Sequence, residues 1–223
     1  MAAFVLVHGA WCGGWVFDRL AADLRGQGHQ VLVARLAGLG DRQDEFDPGI
    51  CLSTHIDDVC SQVAGAGIDR FVLAGHSYGG MVITGVAARL GDRIDALVYL
   101  DAFVPEDGQS LWDLTGAFEH EYFVSTQKFV PGRVKPLPGL EIPQLTDQPL
   151  LTFLEGVRFT GMEAQIARRI YVFATGWEPT PFGRFRDRVK ADPAWELHEA
   201  DASHFVMGDQ PQLVLGILAG CAR

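Results

Sequence analysis

Ala74-Gly75-His76-Ser77-Tyr78-Gly79-Gly80-Met81 is the stretch on which the reading of this 223-residue chain turns. An apolar run, Arg70-Phe71-Val72-Leu73-Ala74, leads into it, and a helix-like run from Met81 to Leu90 leaves it and stops at Gly91. The order is strand, sharp turn, helix, with a serine at the apex and a glycine two places to either side. A turn tight enough to hold Ser77 in an exposed, strained backbone conformation leaves no room for a Cβ at positions 75 and 79. The strain lifts the hydroxyl clear of the sheet, and the first amides of the following helix point toward the same spot. The alternative is a plain glycine-rich turn in a chain that holds 26 glycines. The strand before and the helix after favour a nucleophile at Ser77.

Outward from this turn, apolar runs and helical periodicities alternate. The first strand is Phe4-Val5-Leu6-Val7, followed by the turn His8-Gly9-Ala10-Trp11-Cys12-Gly13-Gly14-Trp15. A helix from Val16 to Gln27 places Phe17, Leu20, Ala21 and Leu24 on one face, with Gly28 to end it. Gln30 to Ala34 is a second strand, an apolar run without alternation, as expected of a strand buried on both faces. Leu39 to Arg42 begins a loop, and Thr54 to Ala64 is a helix ahead of the nucleophile strand. Ala96 to Leu100 is a fourth strand ending at Asp101. Arg169 to Ala174 and Trp195 to Glu199 are a fifth and a sixth, and Gln210 to Cys221 closes the chain as a helix with Pro211 in its first turn. This alternation predicts an α/β fold with a mostly parallel six-stranded sheet and helices on both faces.

Between Phe103 and Arg168 the alternation fails. Six prolines (Pro105, Pro131, Pro136, Pro138, Pro143 and Pro149) interrupt short helix-like pieces at Leu111 to Val124 and Leu150 to Val157. A structureless loop of that length does not suit a compact domain. The segment is expected to form a small helical lid, inserted after the fourth strand of a single domain. The core of that domain would span about 1–102 and 169–223 and its lid about 103–168.

Composition narrows the partners. A net charge of −10 argues against nucleic acid and anionic membrane surfaces, which like charge would repel. The chain has no apolar run long enough to span a bilayer, and Met1 to Val7 lacks a basic leader, so a cytoplasmic protein without signal peptide is expected. Cys12, Cys51, Cys60 and Cys221 have neither zinc-site spacing nor the density of a disulfide scaffold; they read as reduced, with no metal and no cofactor implied.

In parallel sheets ligands sit at the carboxyl ends of the strands. That rule gathers His8 to Trp11, Ser77, Asp101, Thr175 to Glu178 and His204 on one rim. Such a set suits covalent acyl transfer: a serine attacks a carbonyl, a histidine takes its proton, and a carboxylate holds the imidazole in the useful tautomer. Of the seven histidines, His29, His55, His120 and His198 fall on helices, lid or strand, His8 braces its loop, and His76 packs away from Ser77. His204 stands in a loop after the last strand, where the order serine, acid, histidine requires the base. For the acid, Asp101 and Glu178 both satisfy that order. Asp101 is preferred because a strand end fixes it, whereas Glu178 lies in a looser proline-bearing loop; its structural alternative is a turn or hinge residue bonding nearby amides. The backbone amides of Tyr78 and Ala10 are the expected donors to the oxygen that becomes negative. Trp11 and Trp15 either line the pocket or belong to the core.

Phe4 to Trp15, the Gly-His-Ser-Tyr-Gly-Gly turn, Val98-Tyr-Leu-Asp-Ala-Phe-Val-Pro105 and Ser203-His204 together resemble the α/β-hydrolase superfamily. Within it the chain is most similar to the small branch of plant methylesterases and hydroxynitrile lyases and their bacterial esterase relatives. The resemblance covers almost the whole chain and is weak across the lid. It implies a Ser–His–acid triad with Ser77 and His204 in their places, and oxyanion amides at Ala10 and Tyr78. Two positions depart from it. Where the plant members carry their acid, this chain offers Thr175 to Glu178 and no aspartate, while other branches place the acid where Asp101 falls. Where the lyases use a threonine and a lysine, it has Gly9 and Phe205. The expectation is a cofactor-free serine esterase acting on a small, rather apolar carboxylic or carbamic ester or amide, as a monomer or homodimer. Phe103, Trp112, Phe118, Tyr122 and Phe123 would shape an apolar pocket under the lid. A carbon–carbon lyase and a ligand-sensing receptor on the same scaffold are the alternatives.

Overall fold

Apolar runs become strands wherever the sequence spacing places them. The computed structural model describes residues 1–140 and 142–222. In chain order the strands are β1 (Ala3–Val7), β2 (Gln30–Val33), β3 (Phe71–His76) and β4 (Ile94–Leu100), then the short pair β5 (Arg133–Val134) and β6 (Gln148–Pro149), then β7 (Arg169–Ala174) and β8 (Trp195–Ala200). The six long strands form one sheet in the order β2-β1-β3-β4-β7-β8, parallel at every neighbouring pair. Successive side chains leave opposite faces of a strand. Phe4, Leu6, Val72, Ala74, Val98 and Ile170 therefore join one apolar cluster, and Val5, Val7, Phe71, Leu73, Tyr99 and Tyr171 join the other.

Helices cover both clusters: α1 (Asp18–Gly26), α2 (Leu52–Gly65), α3 (Gly79–Leu90), α4 (Ala117–Thr126), α5 (Leu151–Leu154), α6 (Gly183–Lys190), α7 (Val206–Asp209) and α8 (Pro211–Ala219). The buried stripe of α1 (Leu20, Ala21, Leu24) meets α8 on the first face. On the second face α3 packs against α2, and it is buried from Gly79 through Ala88. A helix apolar all round has to be a core helix. No apolar periodicity announces α6. Its mostly charged run has two buried anchors, Phe185 and Val189, four apart on one side.

One strand departs from expectation. β2 is an edge strand, with Gln30 exposed and the rest half-buried, rather than covered on both faces. Only β1 flanks it, and an apolar run carries no information about position in the strand order.

The segment between β4 and β7 crosses the carboxyl end of the sheet. It contains α4, α5 and the antiparallel ribbon of β5 and β6. Phe123 and Phe153 are fully buried and lie 4.8 Å apart, centroid to centroid. Each contributes about 1.5–3 kcal/mol by leaving water, which fastens the segment to the core. Among the described residues no helix is long and apolar enough to cross a membrane.

Candidate active site

At the end of β3 the backbone reverses into α3, and Ser77 takes φ +54°, a conformation unfavourable for a residue with a Cβ. The flanking glycines make this possible. A Cβ on Gly75 would lie 2.7 Å from the Gly79 carbonyl oxygen, and one on Gly79 would lie 2.5 Å from that of Val7. The Ser77 amide donates to the Leu100 carbonyl at 3.3 Å, and its own carbonyl accepts from the Phe103 amide at 3.2 Å, so β4 and its continuation hold the turn. Gly9 brings the first turn alongside; a Cβ there would touch that of Ser77 at 2.9 Å.

His204 follows β8, in the loop before α7. Its Nδ1 donates to Asp101 Oδ2 at 2.8 Å. A carboxylate accepts, so the proton sits on Nδ1 and Nε2 keeps its lone pair. Asp101 is wholly buried at the end of β4 with φ +42°. Two more donors meet it: the Trp177 indole reaches Oδ2 at 3.0 Å, and the Ala174 amide reaches Oδ1 at 3.2 Å. A buried carboxylate needs such partners to remain charged. Glu178 is exposed and makes no hydrogen bond to His204 among the described residues. Of the two acids that the order of the chain allows, the structure brings Asp101 to the histidine.

His76 also serves this corner. Its Nε2 donates to the His204 carbonyl at 2.8 Å, and the two rings lie 4.5 Å apart. Burial and the neighbouring His204 push the His76 pKa well below the usual value, so it is a neutral brace for the backbone of His204.

The amides of Ala10 and Tyr78 have no protein acceptor among the described residues. Behind Tyr78 lies a fully buried histidine. His55 Nε2 donates to the Ala37 carbonyl at 2.9 Å, which leaves Nδ1 to accept from the Tyr78 hydroxyl at 2.9 Å. Burial holds His55 neutral, with its pKa lowered to about 3. His8 braces its own turn through Gly9 and is lowered by burial to about 4.

Ser77, His204, Ala10 and Tyr78 all line one cavity of about 450 Å³. Trp11, Phe103, Phe118 and Phe123 contribute apolar wall. Trp112 and Tyr122 do not. Trp112 stacks on His120 at 3.8 Å, and the Tyr122 hydroxyl is tied to the Pro136 carbonyl, so both build the inserted segment itself. Trp15 is likewise absent from the wall. In their place stand Leu137, Leu140, Leu145, Phe153, Trp177 and Phe182. Trp177 was within reach of the strand-end rule; Leu137 to Leu145 have no periodicity that could have announced them. Glu119 is the one charged acid or base side chain on this wall among the described residues, apart from the histidines. No cluster of three or more His, Cys, Asp or Glu side chains suited to a metal occurs among the described residues.

A model of the alpha/beta hydrolase family matches residues 4–217. The carbendazim hydrolyzing esterase of Nocardioides sp. (strain SG-4G) is 37% identical over 231 residues, covering 95% of this chain and 96% of that protein. Polyneuridine aldehyde esterase of Rauvolfia serpentina is 29% identical over 248 residues, covering 95% and 92%. Among solved structures, an extracellular alpha/beta-hydrolase from a Paenibacillus species superposes with a TM-score of 0.84 over 100% of both chains at 23% identity, a likeness of fold.

Proposed function

From the premise that this chain belongs to the alpha/beta hydrolase family, we propose that it is a serine esterase that cleaves a small, rather apolar ester, carbamate or amide through an acyl-enzyme. The observation that carries the reading is the bond from His204 Nδ1 to the buried Asp101 Oδ2 at 2.8 Å, beside a cavity that also exposes Ser77. With its proton fixed on Nδ1, His204 offers Nε2 as the base. It takes the Ser77 proton as the hydroxyl oxygen adds to the substrate carbonyl, and Asp101 stabilises the imidazolium that forms. The Ala10 and Tyr78 amides donate to the tetrahedral oxyanion, each worth about 10²–10³ in rate. Collapse expels the leaving group, which receives the proton from His204. Water then enters, gives a proton to His204 and releases the acid from Ser77 by the reverse steps. Catalytic hydrogen bonds of this kind tighten when substrate binds, and the Ser77–His204 bond belongs to that stage.

The apolar wall supports an apolar acyl or leaving group, and the inserted segment is proposed to act as its lid. The Nocardioides relative makes carbendazim the first substrate to try, beside p-nitrophenyl acetate. Hydrolysis of either should vanish in Ser77→Ala and survive in Glu178→Gln. Full activity in folded Ser77→Ala would end this reading. Cleavage of a cyanohydrin with no ester turnover would turn it into the lyase instead.

A further inference from the structure

Trp11, the residue after the proposed donor Ala10, is held entirely by the inserted segment. Its φ is +60°. Its amide donates to Gln148 Oε1 at 3.0 Å, its carbonyl accepts from the Thr146 amide at 2.8 Å, and its indole donates to the Val134 carbonyl at 2.9 Å. All three partners lie more than 120 residues away in the chain.

Gln148 is completely buried, and its carboxamide can point only one way. The Thr152 hydroxyl gives its single proton to the Pro149 carbonyl at 2.6 Å. It must therefore accept from Gln148 Nε2, 2.7 Å away, which turns Oε1 toward the Trp11 amide. That amide shares a peptide plane with the Ala10 carbonyl, so the bond fixes the rotation between the Ala10 Cα and its carbonyl. It also occupies the Trp11 N–H, whereas the Ala10 N–H of the same turn has no protein acceptor among the described residues and Ala10 lines the cavity.

We propose that Gln148 is the positioning residue of the oxyanion site. Through the Trp11 amide it sets the first turn, so that the Ala10 N–H meets the tetrahedral oxygen, and it makes the seating of the inserted segment a condition of catalysis. The proposal rests on the serine-esterase reading above. It concerns a residue that touches no reacting atom and acts through the peptide beside the donor.

The test compares wild type, Gln148→Met, Thr152→Val and Ser77→Ala. For each, kcat and KM on p-nitrophenyl acetate are measured with the inhibition constant of a trifluoromethyl ketone, whose adduct with serine carries the oxyanion, and with Tm. Gln148→Met should lower kcat about ten- to a hundredfold, short of the 10²–10³ for a donor removed outright. KM should stay within about twofold, and the inhibition constant should rise by the same factor as kcat falls, since only the tetrahedral state uses the donor. Thr152→Val, which keeps Gln148 but frees its amide to turn, should do the same to a smaller degree. A merely structural Gln148 would lower Tm and leave kcat per folded molecule and the inhibition constant alone; that result in either variant overturns the proposal. If Gln148→Met does not fold, Thr152→Val carries the decision. Undiminished hydrolysis by Ser77→Ala would instead sink the esterase reading, so the two failures are distinguishable.

Discussion

Replacing Asp101 by asparagine perturbs the orientation of His204, and Trp177 determines how severe the damage is. Three donors converge on the carboxylate: the Ala174 amide on Oδ1 at 3.2 Å, and the Trp177 indole at 3.0 Å with His204 Nδ1 at 2.8 Å on Oδ2. An asparagine has one acceptor oxygen and one donating NH2. With the oxygen in the Oδ2 place, it keeps Trp177 and His204, and its NH2 confronts the Ala174 amide. With the oxygen in the Oδ1 place, it keeps Ala174, and its NH2 confronts the indole. His204 then accepts at Nδ1 and carries its proton on Nε2, the tautomer that cannot deprotonate Ser77. Each arrangement strands one buried donor at about 1–3 kcal/mol, so the two compete on nearly equal terms.

Trp177→Phe removes the penalty from the second arrangement alone. In the double variant the unproductive tautomer gains about 1–3 kcal/mol, roughly a 5- to 150-fold shift. An orienting acid turned into an amide costs up to about 10⁴ in kcat. The single Asp101→Asn variant should fall short of that limit, and the double variant should approach it. Trp177→Phe alone leaves the bond between Asp101 and His204 in place and should be mild. The assay is steady-state kcat on p-nitrophenyl acetate for the four proteins, with Tm to confirm folding. Losses that simply multiply, or a double variant faster than Asp101→Asn, would refute the account of the site.

The remaining expectations are simpler. His8 and His55 are held neutral by burial, with pKa values of about 4 and about 3. The unfolded chain takes up protons first, as pH falls through about 6.5, so each histidine removes stability at about 1.4 kcal/mol per pH unit until its folded value is reached. Urea midpoints should drop between pH 7 and pH 5, and a midpoint that stays constant over that interval would contradict the neutral buried states. Phe118 lines the mouth of the cavity at 64% exposure, so Phe118→Ala should raise KM several-fold with little change in Tm. Trp112→Ala should do the opposite, lowering Tm and sparing KM; the reverse pattern would restore Trp112 to the pocket wall.

What could be read from the sequence was whatever is constrained within a few residues. The turn at Ser77 is legible because Gly75 and Gly79 answer to atoms of the turn and of the strand beside it. The strand ends are legible because each apolar run stops where its helix or loop begins. Chain order alone does not separate Asp101 from Glu178, because they leave adjacent strands on the same rim. What separates them is aim: the Asp101 amide bonds to the Val172 carbonyl at 2.7 Å and its φ is +42°, which turns the side chain inward, while Glu178 ends in solvent.

The error over Trp112 has a physical source. An irregular segment must bury apolar surface of its own, and the Trp112–His120 stack does that. Aromatic content alone cannot tell such a residue from a pocket wall. Sequence patterns do not single out His55 and Gln148, because their partners, Tyr78 and Trp11, are 23 and 137 positions away. Burying an amide or an imidazole costs free energy unless every polar atom finds a partner, and here each partner is, or follows, a residue whose amide is proposed as an oxyanion donor. The long-range polar contacts invisible to sequence patterns are thus the ones that bind the inserted segment and α2 to the turns beside Ser77. The strand pattern shows where chemistry can happen, and these buried bonds are proposed to set the geometry in which it does.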